Sequence, residues 1–376
     1  MPPIARSQRL SGQWIGHTSG EYDARVLMDL DPIEGYARGT AHFFPDDHRF
    51  PCAFATFEHV DELAPGSVES SVTYFNPANG YTPSVPELTE AFPEAQLSWR
   101  VRIIFEPKNE DEISVNWITE RGFSAKGIVR RMSLAPRSLV TPEPEVADWT
   151  AFQHYVTEQS MDGFIYRGQS QPWPLQTSFH RTSRKDLGRY LREDVQSLYR
   201  ALTGRTRHIF DLAKPQENGA FLNLAQHHGF PTPLLDWTRS PYVAAYFAYS
   251  GVNSVQEDDP PVRIFAFDKE RFTKRITQFP FLELVMPHFS ILEALSIEND
   301  RAIPQQGVLA LTNLHNVEAQ IIELEESSDE RYLYAFDLPR HQALEALRHL
   351  RLMGITQATM FPGVESICRE MRDRHF

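Results

Sequence analysis

The pattern of apolar residues changes about one third of the way along the 376-residue chain, and this change constrains the fold more than any other feature. Up to residue 132, apolar and polar residues mostly alternate in short runs that end in turn-forming residues, as in CAFATFEHV and SSVTYFNPANG. Alternation with a period of two is typical of strands with one buried face. Several such strands in succession predict an antiparallel β-barrel or β-sandwich.

The clearest strand pair of this first part is a hairpin whose turn is PKNEDE, residues 107–112. Apolar residues recur at alternate positions on both sides of the turn, so each strand has one apolar face. These residues are Leu97, Trp99, Val101 and Ile103 before the turn and Ile113, Val115 and Trp117 after it.

The segment SGQWIGHTSG, residues 11–20, resembles the Gly-x-Trp start of small calycin-like barrels. One interpretation is a barrel that holds a ligand. The other is that Trp14 closes one end of an ordinary β-domain, and we favour this second interpretation.

Residues 133–146, SLAPRSLVTPEPEV, contain three prolines and little periodicity, which predicts a linker or an extended connection. Helical spacing and short apolar strands are interleaved after it, so the sequence predicts an α+β domain. We therefore divide the chain into a β-domain (1–132), the linker (133–146) and the α+β domain (147–376). Within the last, DLGRYLREDVQSLYRALTGRTRHIF predicts one amphipathic helix, Ser240 an N-cap, and ATMFPG (358–363) a final short strand.

Composition narrows the possible partners. The formal net charge is −13 and the pI about 5.6, which disfavours nucleic-acid binding. The locally basic stretch 181–207 is spaced as on a solvated helix face. The two cysteines, Cys52 and Cys368, form neither a disulfide framework nor a zinc motif. We find no membrane-spanning stretch and no hydrophobic signal core, so the expected location is the cytoplasm.

Arg167 follows the apolar run Phe164–Tyr166 and precedes Gly168. An arginine at the end of a strand can direct its planar guanidinium at a phosphate or carboxylate in a cleft. It can equally pair with a buried aspartate, such as Asp236, and tie two strands together. The residues themselves leave both interpretations open.

Asp236 and Thr238 end the apolar run LLDWT directly before a predicted helix. A helix N-terminus offers free backbone N–H groups beside the threonine hydroxyl, although a plain N-cap is the simpler interpretation. His227 and His228 are consecutive, and consecutive side chains diverge, so we predict no metal site. A structural or substrate-contacting histidine is the interpretation that we favour.

Four segments together, YRG, LAQHHGFPTPLLDWTRSPYVAAYFA, QQGVL and MGITQATMFPG, closely resemble the FRG domain, which is named for its (Phe/Tyr)-Arg-Gly signature. The resemblance covers about residues 147–370. It implies no firm activity by itself, because the family is defined mainly by sequence.

The order of these motifs also resembles that of the ADP-ribosyltransferases, and the resemblance implies an ADP-ribosyltransferase-like fold and a site for NAD. Arg167 with Gly168 matches the first element, and Thr238 at the end of LLDWT matches the second. The third element is usually a glutamate. Here Gln306 or Glu365 occupies the corresponding region, and a glutamine cannot act as a base.

The implied catalytic residues are thus Arg167, Thr238, Gln306 and Glu365. The implied NAD-binding residues are Tyr166, Arg167, Gly168, Gln226, His227, Asp236 and Thr238, with no metal.

Three functional hypotheses follow. The first is an NAD-using enzyme, a toxin or defence effector that transfers ADP-ribose to a macromolecular target or cleaves NAD, with the β-domain as sensor or targeting module. The second is a nucleotide-binding module without turnover. The third is a scaffold in which the signature residues form a buried polar network. The first two predict a cleft lined by Arg167, His227 and Thr238, and the third predicts that these side chains are buried and satisfy one another.

Overall fold

The computed structural model describes residues 10–33, 36–61, 66–158, 163–252, 256, 259–292 and 295–375. The first nine residues of the predicted β-domain lie outside this range. Eight antiparallel strands in the first part form a closed barrel in sequence order. They are β1 (Gly12–Gly20), β2 (Ala24–Ile33), β3 (Tyr36–Pro45), β4 (Cys52–Asp61), β5 (Gly66–Phe75), β6 (Arg100–Pro107), β7 (Glu112–Thr119) and β8 (Ser124–Arg131).

Pairing between β1 and β8 closes the barrel, from Trp14 opposite Arg131 to Gly20 opposite Ala125. The sequence left a barrel and a sandwich open, and this pairing decides for the barrel. The predicted hairpin is β6 with β7, and Val101, Ile103 and Val115 on its apolar face are buried as expected. Trp99 precedes β6 and is instead 40% exposed.

Trp14 is fully buried at one end of the barrel. Its indole Nε1 donates to the backbone oxygen of Leu10 at 2.9 Å. The Arg131 guanidinium covers the indole ring, with its Cζ 4.1 Å from the ring centroid, a cation–π contact. This end of the barrel is therefore filled by protein.

The second part of the chain is built on a six-stranded sheet of order β12-β13-β10-β9-β11-β14. All of its neighbouring strands run antiparallel, which confirms the predicted α+β class. The strands are β9 (Phe164–Gln169), β10 (Leu234–Thr238), β11 (Val262–Asp268), β12 (Phe289–Leu292), β13 (Gly307–Thr312) and β14 (Leu333–Leu338).

Helices cover both faces of this sheet. Three of them, α2, α6 and α9, share one core with Tyr166, Ile264 and Phe336, and residues of α7 and α8 pack on the other face with Phe265 and Phe267. The helices are α1 (Val85–Ala91), α2 (Trp149–Glu158), α3 (Leu187–Arg189), α4 (Gln196–Thr203), α5 (Pro215–His227), α6 (Pro241–Ser250), α7 (Lys269–Arg275), α8 (Val317–Ser328), α9 (Ala343–Leu352), α10 (Gln357–Met360) and α11 (Val364–His375).

Two segments differ from the sequence-based expectation, and a third is more closely packed than a free linker. ATMFPG, predicted as a strand, contributes to helix α10, which Thr356 caps by accepting from the Thr359 backbone N–H. The predicted single helix after residue 185 is instead divided, because the π-helical turn Tyr190–Val195 separates α3 from α4. The proline-rich segment is held in place, with Val140 in the core and Pro142 bridged to Ala335 of β14.

The filled end of the barrel lies against the sheet region. Asp31 is fully buried there, and it accepts from the backbone N–H groups of Lys185 and Asp186 and from Arg184 Nε at 2.6 Å. Gln13 donates to the backbone oxygen of Asn313 at 2.7 Å. The contact between the two parts is therefore polar and specific. Within the described ranges, none of the helices is both long and apolar enough to cross a membrane.

Candidate functional site

A cleft of about 460 Å³ opens where β9 and β10 end beside the C-terminal end of α5 and the first half of α6. The segments YRG and LLDWT both contribute residues to its wall. Its lining includes Tyr166, Arg167, Gly168, Gln226, His227, Asp236 and Thr238. The structure thus brings together all seven residues predicted to bind NAD, although 71 positions separate Thr238 from Arg167 in sequence (238 − 167).

Gly168 allows β9 and α6 to approach closely. A Cβ atom on this residue would lie 1.8 Å from the backbone oxygen of Ala244 and 2.8 Å from the backbone nitrogen of Ala248. No other residue type fits without moving the helix. The glycine of the Arg-Gly pair therefore has a structural role, because it sets how close the strand, and with it Arg167, lies to α6.

Arg167 is partly buried in the cleft wall. Its Nη1 donates to the backbone oxygen of Asp236 at 2.7 Å, and its Nε is buried without a partner among the described residues. Burial lowers the pKa of the guanidinium, and the Asp236 carboxylate opposes that shift. None of the ion pairs within 4.0 Å that the described part of the chain forms involves Arg167. The side chain is anchored through one nitrogen, without the direct ion pair that a core tie would use.

Asp236 faces the cleft, and Gln226 fixes its orientation. Gln226 Nε2 donates to Asp236 Oδ2 at 2.6 Å, while Gln226 Oε1 accepts from the Thr232 hydroxyl. The protein packed around the carboxyl raises its pKa, and Arg167 and Gln226 act against this rise. Asp236 is therefore a stronger base than an ordinary exposed aspartate, and it is held in a defined position.

Thr238 is buried and pairs with Tyr166 across the β10–β9 ladder. Its hydroxyl accepts from the Ser240 backbone N–H at 3.1 Å. Ser240 is the N-cap of α6, as predicted, and its side chain accepts from the Val243 backbone N–H. Thr238 is therefore not the N-cap, and its hydroxyl helps to shape the turn at the floor of the cleft.

His227 is the last residue of α5 and lines the cleft, whereas His228 beside it is exposed. Burial lowers the pKa of His227 to about 4, and Arg301 and His228 add to this shift. The imidazole is therefore neutral near pH 7 and can donate or accept a hydrogen bond. In the part of the chain that the structure describes, no group of three or more His, Cys, Asp or Glu side chains could hold a metal ion.

Two of the predicted catalytic residues, Gln306 and Glu365, do not line the cleft. Gln306 is exposed at a left-handed turn with φ 49°, and its backbone oxygen accepts from the Arg239 N–H. Glu365 is exposed in the first turn of α11 and lies 3.5 Å from Arg369. Local turn and helix geometry explains both positions.

Sequence reasoning missed several residues of the cleft. Arg181 and Arg301 both line it. The positive charge of Arg181 is close enough to lower the pKa of Arg167 and of Asp236. Arg301 lies 5.1 Å above the ring of Phe361, measured from Cζ to the centroid. Phe247, Gln305 and Phe361 had a sequence signal, because they belong to the segments quoted above for the family resemblance. Other lining residues outside those segments are Trp173, Asn223 and Asn299.

Comparison with known proteins gives one family match. The FRG domain model matches residues 162–257, which include β9, α5, β10 and α6. No curated protein matches the chain. The redesigned β-barrel mFAP0 bound to DFHBI is 17% identical, with 33% of this chain and 100% of that chain covered and a TM-score of 0.23. A de novo designed fluorescence-activating β-barrel is 12% identical, with 34% and 99% covered and a TM-score of 0.23.

The family match contains both Arg167 and Thr238. It also contains α6, the helix that Gly168 allows to approach the sheet. The second part of this chain therefore carries a domain of the FRG family.

Proposed function

We propose that the cleft of the FRG domain binds NAD and cleaves its nicotinamide–ribose bond, passing ADP-ribose to water or to a target. The observation that carries this proposal is the charge of the lining. Among the described residues that line the cleft, three are arginines, Arg167, Arg181 and Arg301, and one is a carboxylate, Asp236. The chain as a whole has a net charge of −13, so a cationic lining at this place favours an anionic ligand.

A pyrophosphate suits the arginine arrangement best. Arginine guanidinium groups donate in pairs to phosphate oxygens, and such charge-assisted hydrogen bonds are among the strong ones. Arg167 is already anchored through Nη1, so its remaining donors lose little side-chain freedom on binding. The two negative charges of the NAD pyrophosphate would replace water beside these groups.

Aromatic side chains at the same cleft supply surfaces for the flat ends of a dinucleotide. Trp173, Phe247 and Phe361 line the cleft, and Trp173 is 46% exposed. Stacking on aromatic rings stabilises a bound base without requiring specific hydrogen bonds to it. A cleft of about 460 Å³ falls in the size range of small-molecule sites.

In the proposed reaction, Asp236 acts at ribose C1′, where the bond to nicotinamide breaks. The bond between ribose C1′ and the nicotinamide nitrogen breaks, and its electron pair neutralises the pyridinium ring. Positive charge develops on the ribose, and a fixed carboxylate stabilises it. Water or a target hydroxyl then attacks C1′ and gives its proton to Asp236, whose raised pKa suits it to that role. Gln226 is a positioning residue for this carboxylate.

A second candidate is nucleotide binding without turnover. It is favoured by the positions of Gln306 and Glu365, because neither supplies the expected carboxylate to the cleft. In that case Asp236 only orients Arg167, and binding of NAD or ADP-ribose is the whole function.

One experiment separates these functions. Purified full-length protein is titrated with NAD, ADP-ribose and nicotinamide by calorimetry, and nicotinamide release is followed separately. The variants are Arg167→Ala and Asp236→Asn, with Arg348→Ala on the exposed side of α9 as a matched arginine control.

Binding without release supports the second candidate. Release that disappears in Asp236→Asn, with NAD binding retained, supports the first. Absence of NAD and ADP-ribose binding in the parent protein overturns both.

A further inference from the structure

We infer that the β-barrel binds a small, uncharged ring compound that carries a hydrogen-bonding group, in a cavity at its open end. The cavity measures about 110 Å³. It lies within the barrel and not in the FRG domain, so the inference does not depend on the NAD proposal.

The cavity occupies the end opposite Trp14. Residues from the starts of β2, β4 and β6 and from the ends of β3, β5 and β7 line it, for example Ala24, Ala53, Val101, Val72 and Thr119. The other end is filled by the indole of Trp14 under Arg131 and faces the FRG domain. The barrel therefore has one filled end and one end with space for a ligand.

Aromatic rings dominate the wall of the cavity. Tyr22, Phe50 and Phe123 form an edge-to-face group, in which the ring centroid of Tyr22 lies 4.5 Å from that of Phe50 and 5.3 Å from that of Phe123. Phe43 and Trp117 form a second such pair at 6.0 Å. Among the described residues that line the cavity none is charged. A charged ligand would lose its hydration there without a partner, so a neutral ligand fits.

Two hydroxyl groups in this wall have no hydrogen-bond partner. Ser98 Oγ and Thr119 Oγ1 are both buried and unpaired within the described chain, and both residues line the cavity. Ser98 is only 3% exposed. Its peptide is fixed by Tyr74, whose hydroxyl accepts from the Ser98 N–H and donates to the Ser98 oxygen, both at 2.8 Å.

An unpaired buried hydroxyl is destabilising, and native proteins rarely retain one without a reason. Two of them on one uncharged and mostly apolar cavity indicate a ligand that supplies the missing donor or acceptor. Size limits the ligand further. The cavity exceeds what one water needs and is somewhat smaller than an engineered apolar cavity of about 150 Å³ that binds benzene. A single ring that extends partly through the open end of the barrel suits this space, and the hydroxyl of a phenol would pair with the two unpaired hydroxyls.

The test uses p-cresol and toluene, which differ by one hydroxyl, together with benzoate as a charged ring of similar size. Full-length protein is titrated with each by calorimetry. The variants are Ser98→Ala with Thr119→Val, which removes both hydroxyls, and Val72→Phe, which fills the cavity. Ser67→Ala, on an exposed position of β5, is the matched control.

We expect p-cresol and toluene to bind and benzoate not to bind. Loss of a hydrogen bond should weaken p-cresol binding to the double variant about fivefold and leave toluene binding unchanged. Val72→Phe should abolish binding of both, with an unchanged melting temperature as evidence of folding. If it does not fold, the double variant decides alone.

Failure of both rings to bind the parent protein overturns the inference. So does equal p-cresol affinity in parent and double variant, or benzoate binding as tight as p-cresol. Addition of NAD should leave p-cresol binding unchanged, and competition between them would place the p-cresol in the FRG cleft instead.

Discussion

The barrel cavity and the FRG cleft are opposite in chemistry, although one chain forms both. The cavity is walled by aromatic and aliphatic side chains and carries no charged residue among those described. The wall of the cleft, as far as the structure describes it, has three arginines, one aspartate and several amides. Removing an apolar group from water is favourable, whereas removing an unpaired charge from water is strongly unfavourable. The two sites therefore suit different classes of ligand. The comparison teaches that the two proposed functions are separable, since the proposed neutral ligand and the proposed anionic ligand belong to different parts of the chain.

The secondary structure that builds each site explains the contrast. In the barrel, alternate residues of each strand point inward, so a pattern of apolar residues makes an apolar interior. In the FRG domain, the site lies at strand and helix ends. Backbone groups there are not engaged in the hydrogen bonds within the sheet or helix, and polar side chains can face a ligand. The two parts should therefore respond differently to substitution and to pH.

The largest effect is expected at the filled end of the barrel. Trp14→Ala should lower the free energy of unfolding by about 3–5 kcal/mol, because a large buried side chain is replaced by a cavity. The matched control is Trp99→Ala, where 40% of the side chain is exposed. Calorimetric melting measures both. Equal losses in the two variants would contradict the view that Trp14 holds the barrel closed.

The next effect concerns Arg167. Truncation to alanine removes one hydrogen bond to a backbone oxygen, so stability should fall by only about 1 kcal/mol. Affinity for ADP-ribose should fall about tenfold or more, because charge-assisted hydrogen bonds to phosphate are lost. Thermal melting with and without ADP-ribose tests this. A loss of about 3–5 kcal/mol without any ligand effect would instead identify Arg167 as a structural tie.

Acid should destabilise both parts through buried histidines. Burial lowers the pKa of His42 in the barrel and of His288 in the second part of the chain to about 4. Between about pH 6.5 and 4 the unfolded chain therefore binds protons that the folded chain does not, and stability falls as pH falls. Burial raises the pKa of Asp186 to about 7. Protonation of this carboxyl therefore favours the folded chain as pH falls, which opposes the effect of the histidines.

The histidine effect is therefore measured as a difference between variants. Urea unfolding at pH 7, 6, 5 and 4 should show a shallower loss of stability in His42→Gln and in His288→Gln than in the parent protein. Parallel curves for all three proteins would show that these histidines are protonated normally in the folded state.

The smallest effect is expected at Glu365. Its ion pair with Arg369 is exposed and within one helix, so Glu365→Gln should change stability by less than about 0.5 kcal/mol. If Asp236 is the working carboxylate, nicotinamide release should also be unchanged. A strong loss of release in Glu365→Gln, but not in Asp236→Asn, would reverse the assignment of the two carboxylates.

Much of the fold was determined by the sequence alone, because it depends on local patterns. Period-two alternation predicted the strands before residue 132, and the hairpin of β6 and β7 was recognised from its turn. The segments that form β9, β10 and α6 were identified, with Ser240 as N-cap. Such signals lie within a few residues of one another, so propensity and side-chain spacing are sufficient.

Only the tertiary structure decided how these elements meet. Closure of the barrel depends on β1 pairing with β8, about a hundred residues away, and nothing local distinguishes that pairing from a sandwich. Short apolar segments such as ATMFPG are ambiguous, and here a threonine cap makes a helix of a predicted strand. Arg181 and Arg301 reach the cleft because packing between distant segments brings them there. The turn at Gln306 and the helix that carries Glu365 leave those two side chains exposed outside it. Contacts between distant residues have no local signature. The two further arginines of the cleft and the wall of the barrel cavity therefore became visible only in the folded chain.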